Sequence, residues 1–182
     1  MTEPRPLSDA APEPASTPED EVFVVVDRAI DASHRLPQGA ADRVTAQVKQ
    51  LAARSGVATE WPDGLPTSSA LAASGCRGFI ISASVRRLAI TTVSRQARIT
   101  CDVQLHVAPW YGVDGGEKWE ANATATASGS ALTTTSNAPA QVARGVRECV
   151  ESAVESVATR EVMPFLQRAA VRPPIAMLTR RR

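Results

Sequence analysis

Aromatic residues are scarce in this sequence, making up only 4% of its 182 positions. The hydrophobic core must therefore be built mainly from valine, alanine, leucine and isoleucine. Lysine is rare as well, since only Lys49 and Lys118 among the 20 basic residues are not arginine. The formal net charge is +1, which exerts no overall pull toward nucleic acid or an anionic membrane. We therefore expect nucleic acid to be an unlikely partner.

Motifs for catalysis and metal binding are also lacking. The sequence contains no G-x-G-x-x-G, phosphate-loop or H-E-x-x-H pattern. Cys76, Cys101 and Cys149 form no C-x-x-C pair, and with only His34 and His106 available a zinc site would need residues that converge from distant parts of the chain. Asp102 and His106 are four residues apart on a predicted strand, about 13 Å, which is too far for a hydrogen bond. The sequence predicts a protein that is not an enzyme and holds no metal and no cofactor.

Long apolar runs are missing too, because no stretch reaches the roughly 20 residues that a membrane-spanning helix needs. Residues 1–20 are rich in proline, alanine and acids, and show no basic-then-apolar signal region. We predict a disordered arm at 1–20, one domain at 21–168 and an extended basic tail at 169–182. As written the chain starts in the cytoplasm, and a trimmed start would instead allow the bacterial envelope.

What the sequence does contain is a clear succession of strands and helices. The run EVFVVVD at 21–27 predicts a strand covered on both faces. A helix is predicted from Pro37 to Arg54, a short strand at 57–61 and a short helix at 68–74. Strands are then predicted over 79–91, with a β-bulge at Arg86-Arg87, and over 97–107.

The last third of the sequence predicts one more strand and a long helix. Alternation from Trp119 to Leu132 points Trp119 and a row of alanines inward, and alanine is a poor strand former. We therefore expect the following helix to pack very close to this strand. Asn137 is predicted to cap that helix, and Pro164 is predicted to end or kink it. The apolar stripe of the helix has helical spacing; its members are Val142, Val146, Cys149, Val150, Ala153, Val154 and Val157.

This order of elements predicts an α+β fold, in which an antiparallel or mixed sheet carries one helical layer as a two-layer sandwich. The segments LAASGCRGFIISASVRRLAI, ARITCDVQLHV and EKWEANATATASG, followed by the terminal amphipathic helix, resemble the small α/β domains of bacterial envelope lipoproteins. The resemblance is to the curli-secretion and TolB amino-terminal type, and it spans roughly residues 21–168. It implies a non-catalytic domain that works by contact, often in an envelope assembly, and it implies no catalytic residues.

Two groups of residues are candidates for contact with a partner. Trp110 and Tyr111 belong to a loop that holds three of the seven aromatic residues, so they are either an exposed anchor or a cap on one end of the sheet. The tail residues Arg180, Arg181 and Arg182 form the second group. Cys101 and Cys149 lie on faces that the helix and its neighbouring strand would share, so they are either buried thiols or a disulfide.

Three functional hypotheses follow from these features. The first is a non-catalytic interaction or assembly module that binds a protein partner or itself. The second is a small ligand-binding or enzymatic domain with a pocket between the helices and the sheet, near Asp27. The third is a weak nucleic-acid binder that uses the arginine-rich tail.

Overall fold

The protein is described here by a computed structural model, which covers residues 22–171. Its sheet has five strands: β1 (Val22–Val26), β2 (Ile30–Asp31), β3 (Arg77–Val93), β4 (Gln96–Pro109) and β5 (Ala125–Ser136). Its helices are α1 (Ala40–Arg54), α2 (Ser68–Ala73), α3 (Gly112–Gly115), α4 (Pro139–Val157) and α5 (Met163–Val171), with a π-helical segment (Ala158–Val162) between the last two. The predicted arm at 1–20 and the arginines at 180–182 lie outside the described residues.

The sheet is mixed, and its strand order is β1-β3-β4-β5, with β2 beside β3. β1 and β2 run parallel to β3, whereas β3, β4 and β5 form an antiparallel meander. The register shifts between Val85 and Arg87, so the bulge predicted at Arg86-Arg87 is confirmed. The prediction of an α+β fold with a helical layer on one sheet is confirmed as well.

Two hydrophobic clusters lie on opposite faces of this sheet. The larger one fills the space between the sheet and the layer formed by α1, α4 and α5, and it contains fully buried Ile99, Leu105 and Leu166. The smaller one lies on the other face around Phe23, Leu71 and Trp110. β1 therefore has buried side chains on both faces, as the run at 21–27 predicts.

Helix α4 lies close against β5, which confirms the inference from the alanine-rich strand. A Cβ atom placed on Gly129 would come 2.4 Å from Cγ2 of Val157, and one on Gly145 would come 2.7 Å from Cδ1 of Ile99. Real side chains do not approach that closely, so small residues are what permit this helix–sheet distance.

The start of β5 was predicted wrongly. The strand begins at Ala125 rather than at Trp119, because the chain turns first: the amide groups of Ala123 and Thr124 both donate to the carbonyl of Glu120. The prediction of which alternate side chains point inward was right, because those of Ala125, Ala127 and Ala131 face α4. Trp119 itself is 75% exposed, so its assignment to the core is wrong.

Three predictions about the ends of helices differ from the structure. α1 begins at Ala40, after Gly39 in a left-handed conformation, and not at Pro37. Asn137 does not cap α4, because its side-chain amide donates to the carbonyl of Ser94. Pro164 was predicted to end or kink the helix, and it does not end the helical run: α4 gives way to the π-helical segment, and the chain continues as α5. The change of winding accommodates the missing proline N–H, and a kink at this point stays a prediction.

The strand predicted at 57–61 is reduced to a single bridge between Ala58 and Phe23. The amide of Val24 donates to the carbonyl of Ala58, and the amide of Ala58 donates to the carbonyl of Val22. This segment therefore covers the outer edge of β1. No helix among the described residues is long and apolar enough to cross a bilayer.

Candidate functional site

One end of the sheet brings together the loop predicted for contact and a cleft. The start of β3 at Arg77, the end of β4 at Pro109 and the C-terminal part of α5 meet there. The cleft has a volume of about 460 Å³ and is lined by Leu71, Phe79, Trp110, Tyr111 and Glu120, among others. A smaller cleft of about 180 Å³ lies on the other side of Arg77, against Phe165 and Arg168.

Arg77 separates the two clefts and is held in place by α5. Its guanidinium donates to the carbonyl of Ala169 at 2.7 Å and stacks 5.5 Å from the centroid of the Phe79 ring. A guanidinium that stacks on a ring and bonds a carbonyl keeps a defined orientation. The end of the sheet is therefore a shaped surface with a fixed positive charge at its centre.

Trp110 lies in the smaller cluster and is only 7% exposed. Its ring centroid is 6.0 Å from that of Phe23, which in turn makes an edge contact with Trp61. Its backbone amide donates to the carbonyl of Gly78, so the residue extends the pairing of β4 with β3. Of the two alternatives for this residue, the geometry agrees with a cap on the end of the sheet.

The loop after Trp110 is tied to α2 by Asp114. The amide of Ser68 donates to Oδ1 of Asp114 at 2.7 Å, and the Ser68 hydroxyl donates to Oδ2 at 2.8 Å. These two hydrogen bonds hold the pKa of Asp114 below its ordinary value. The amide of Val113 also donates to the carbonyl of Pro66 at 3.0 Å. The loop is consequently ordered although it carries exposed side chains.

Tyr111 is exposed and makes polar contacts with residues that follow it in the loop. Its hydroxyl donates to Oε1 of Glu120, and Nζ of Lys118 lies 4.5 Å from the centroid of its ring. The bond to Glu120 raises the pKa of Tyr111, and desolvation and the Glu120 charge raise it further.

We expect the phenol of Tyr111 to titrate above its ordinary value of 10 in the native protein, and to return toward 10 in Glu120→Gln, which removes the neighbouring charge. Tyr111 is the only tyrosine in the chain, so the ultraviolet absorbance of phenolate against pH reports this residue alone. Glu117→Gln is the matched control, because Glu117 contacts His106 instead. Identical titration curves for native protein and Glu120→Gln would contradict the arrangement.

Trp119 projects from this network into solvent. Its neighbours Lys118 and Glu120 both contact Tyr111, and the side chain between them is 75% exposed. Val113 is 58% exposed nearby on the same loop, and Leu65 is 54% exposed next to Pro66, to which Val113 is bonded. We call Tyr111, Val113 and Trp119 the end surface. The sequence pattern missed Trp119 because its alternation with the alanines imitates a core position.

The remaining candidates do not join this end. Asp27 is exposed after β1, where it accepts from the amide of Arg28. His106 lies on the open face of β4, bonded to Thr126 and 3.4 Å from Glu117. The space between the helical layer and the sheet is filled by the larger cluster rather than by a pocket near Asp27. Arg180, Arg181 and Arg182 lie outside the described residues.

Cys101 and Cys149 are buried neighbours at the interface of α4 and the sheet. Sγ of Cys149 donates to the carbonyls of Ala131 at 3.3 Å and of Ile99 at 3.7 Å. Hydrogen bonding with Cys149 and burial raise the pKa of Cys101, which opposes thiolate formation there. Both are thiols in this structure, and a disulfide in an oxidising compartment stays a prediction. Among residues 22–171 no three potential ligands are grouped to hold a metal ion.

No protein-family model matches this sequence, and no curated protein is significantly similar to it. Solved structures do resemble it. The PelC dodecamer of Paraburkholderia phytofirmans is 11% identical with a TM-score of 0.41, over 80% of this chain and 93% of that one. A minor lipoprotein of Acinetobacter baumannii is 11% identical with a TM-score of 0.44, over 78% and 92%. The lipoprotein GNA1162 of Neisseria meningitidis is 10% identical with a TM-score of 0.39, over 76% and 99%.

Proposed function

We propose that this domain is a non-catalytic contact module and that it binds a protein partner through the end surface. The observation that carries the proposal is Trp119, a tryptophan that is 75% exposed on an ordered loop. Exposing an indole to water is unfavourable for the isolated domain, and tryptophan and tyrosine are the residues that dominate binding hot spots. The end surface offers one of each, next to exposed Val113.

The chemistry of the described residues supports a binding role over a catalytic one. No charged or polar side chain is fully buried in residues 22–171. Tyr111 and Glu120 are paired with each other, and Asp114 is occupied by Ser68. Catalytic groups are usually held in desolvated sites where their pKa values suit proton transfer. Tyr111, Glu120 and Asp114 instead use their hydrogen bonds to order the loop.

The partner can be sought by placing a photo-crosslinking amino acid at position 119 of the full chain. We expect it to join a defined protein in cells of the source bacterium, whereas the same amino acid at Val93 gives no such product. Val93 is the matched control because it is 66% exposed but lies at the opposite end of β3. Element order resembles that of envelope lipoprotein domains, so the envelope is the compartment in which we propose to look first.

Once that partner is identified, we expect Trp119→Ala to weaken binding by about 2 kcal/mol, which raises the Kd about 30-fold. The physical reason is the loss of the indole from a desolvated pocket on the partner. Isothermal calorimetry measures the change, and Val93→Ala serves as control. Equal crosslinking from positions 119 and 93, or unchanged affinity in Trp119→Ala, would refute a contact role for the end surface.

The cleft supports a second candidate, which is a site for a small ligand. Its volume of about 460 Å³ lies in the usual range for such sites, and it combines an apolar floor at Leu71 and Phe79 with the charges of Arg77 and Glu120. Ligand-observed NMR with a library of aromatic carboxylates tests it, since these compounds match the apolar floor and the guanidinium. Binding that persists in a variant with Ala72→Trp, which places a large side chain in the cleft from an exposed position of α2, would argue against this location.

Binding of nucleic acid through the tail also stays a proposal. This proposal predicts that DNA or RNA retains the protein in a salt-sensitive way, and that the retention is lost when Arg180, Arg181 and Arg182 are deleted.

A further inference from the structure

The outer edge of β5 is an open template for another strand. β5 is the last strand in the order β1-β3-β4-β5, and among residues 22–171 no segment pairs with its outer side. The opposite side of the sheet is partly covered, because Ala58 pairs with β1, and β1 and β2 pair with β3 as far as Val85. Beyond Val85 the described part of β3 is also unpaired on that side, but there it carries the charged residues Arg86 and Arg87. β5 therefore presents the longer row of free backbone N–H and C=O groups.

β5 also lacks the devices that usually protect such an edge. None of its 12 residues, ATASGSALTTTS, is charged and none is proline. Its exposed face carries Leu132, which is 51% exposed, within a row of serine and threonine side chains. A long, uncharged edge strand without proline is suited to pair with another strand, so the nature of the partner becomes the question.

We propose that the edge of β5 pairs antiparallel with β5 of a second copy of this chain, across a twofold axis near Ala131. This inference concerns a surface separate from the end surface, and it does not depend on the proposed function. A twofold axis makes the interface self-complementary, so each residue meets a residue of the same strand. An uncharged strand meets its own copy without repulsion between like charges.

The position of α4 supports a second copy over a foreign strand. Sγ of Cys149 bonds the carbonyl of Ile99 in β4 and that of Ala131 in β5, so the helix lies above the border between these two strands. With strands about 4.8 Å apart, each helix axis lies about one strand spacing from the twofold axis. The two α4 helices then come about 10 Å apart, which is the distance at which helices pack.

The flank of α4 that faces the edge of β5 carries little charge. α1 contacts α4 on the side of Val150, where Gln47 donates to the carbonyl of Glu151, so the opposite flank overhangs the edge of β5. With 3.6 residues per turn, the exposed residues of that flank are Gln141, Glu148 and Ser152.

Arg144 and Glu155 share the outward face of α4 with Glu151, because these positions are separated by seven and four residues. Glu148 is the only charged residue on the overhanging flank of α4, and its charge is paired with Arg144 in the same chain at 2.7 Å. Two copies of this flank therefore meet without a large repulsion between like charges.

The test is the molar mass of the full chain by light scattering over a range of concentrations, with two kinds of variant. We expect the native chain to reach twice the mass of one chain. Leu132→Lys places two lysines close to the axis and is expected to leave a monomer, because lysine on an edge strand blocks pairing. Gln104→Lys adds a charge on the open face of β4, a strand that is paired on both sides, and is expected to leave the dimer intact.

A charge placed on α4 gives a second test of the interface. Ser152→Arg sets two guanidinium groups on the facing flanks of the two helices and is expected to weaken the dimer about tenfold. Glu155→Arg changes the outward face of the same helix and is expected to leave the dimer intact. Circular dichroism confirms that each variant is folded.

Hydrogen exchange gives an independent readout, since the β5 amides are expected to gain protection as the protein concentration rises. A native chain that stays monomeric at all concentrations overturns the proposal, and so does an oligomer that survives Leu132→Lys. A monomer that instead takes up an extended foreign peptide at β5 overturns the second-copy assignment. None of these outcomes affects crosslinking from position 119. The dimer proposal can therefore be wrong while the proposed function holds, and the reverse is also possible.

Discussion

Replacing Trp110 with alanine is expected to lower the free energy of unfolding by about 3–5 kcal/mol. The side chain is 7% exposed and packs between Phe23 and the start of α2, so its removal leaves a cavity in the smaller cluster. That cluster has only four buried members among the described residues, so Trp110 supplies a large part of it. Urea denaturation followed by circular dichroism measures the loss, which is a substantial part of the 5–15 kcal/mol typical of a domain.

Trp119→Ala is the matched control for Trp110→Ala, because it makes the same change in the same loop at a residue that is 75% exposed. We expect it to change the free energy of unfolding by less than about 0.5 kcal/mol. The pair of variants therefore distinguishes a cap on the sheet from a contact residue. Equal losses in the two variants would mean that the loop is packed differently from the structure.

Replacing Gly129 with valine is expected to cost about 2–3 kcal/mol. A Cβ at this position would lie 2.4 Å from Cγ2 of Val157 and 4.0 Å from the carbonyl oxygen of Ala153, so α4 would have to move away from β5. Valine is a better strand former than glycine, and intrinsic propensity alone would give the opposite sign. Thermal or urea denaturation of the variant decides which effect dominates.

Ser128→Val provides the comparison for Gly129→Val on the adjacent residue of β5. Ser128 is exposed on the open face of the sheet, so the same gain in strand propensity comes without a clash. We expect a change within about 0.5 kcal/mol of zero, or a slight gain. If Gly129→Val proved as stable as Ser128→Val, the close approach of helix and strand would be wrong.

Much of the fold could be predicted because its elements have strong periodic patterns. Alternation at 97–107 places Ile99 and Leu105 in the core, and the phase change at Arg86-Arg87 marks the bulge. Local patterns could not show that β1 lies parallel to β3, because pairing of distant segments leaves no local trace. They also could not show that Pro164 continues in a helix, since a π-helical segment depends on packing around it.

The candidate site was predicted only in part, and the reason is again tertiary. The loop was recognisable by its aromatic residues, but the direction of each side chain depends on contacts that are distant in sequence. Trp110 is buried by Phe23, and Trp119 is exposed because the chain turns at Glu120 before β5 begins. The bond from Ser68 to Asp114 spans 46 positions and has no signature in the sequence.

The two ends of the described range lie close together. Val22 pairs with Arg77, and Arg77 donates to the carbonyl of Ala169, so both ends lie at the same end of the sheet as the end surface. The hairpin of β3 and β4 extends away from that end, and the 17 residues of β3 span about 55 Å at about 3.3 Å per residue. Spectroscopic labels at Val93 and Trp119 would therefore report on opposite ends of the domain.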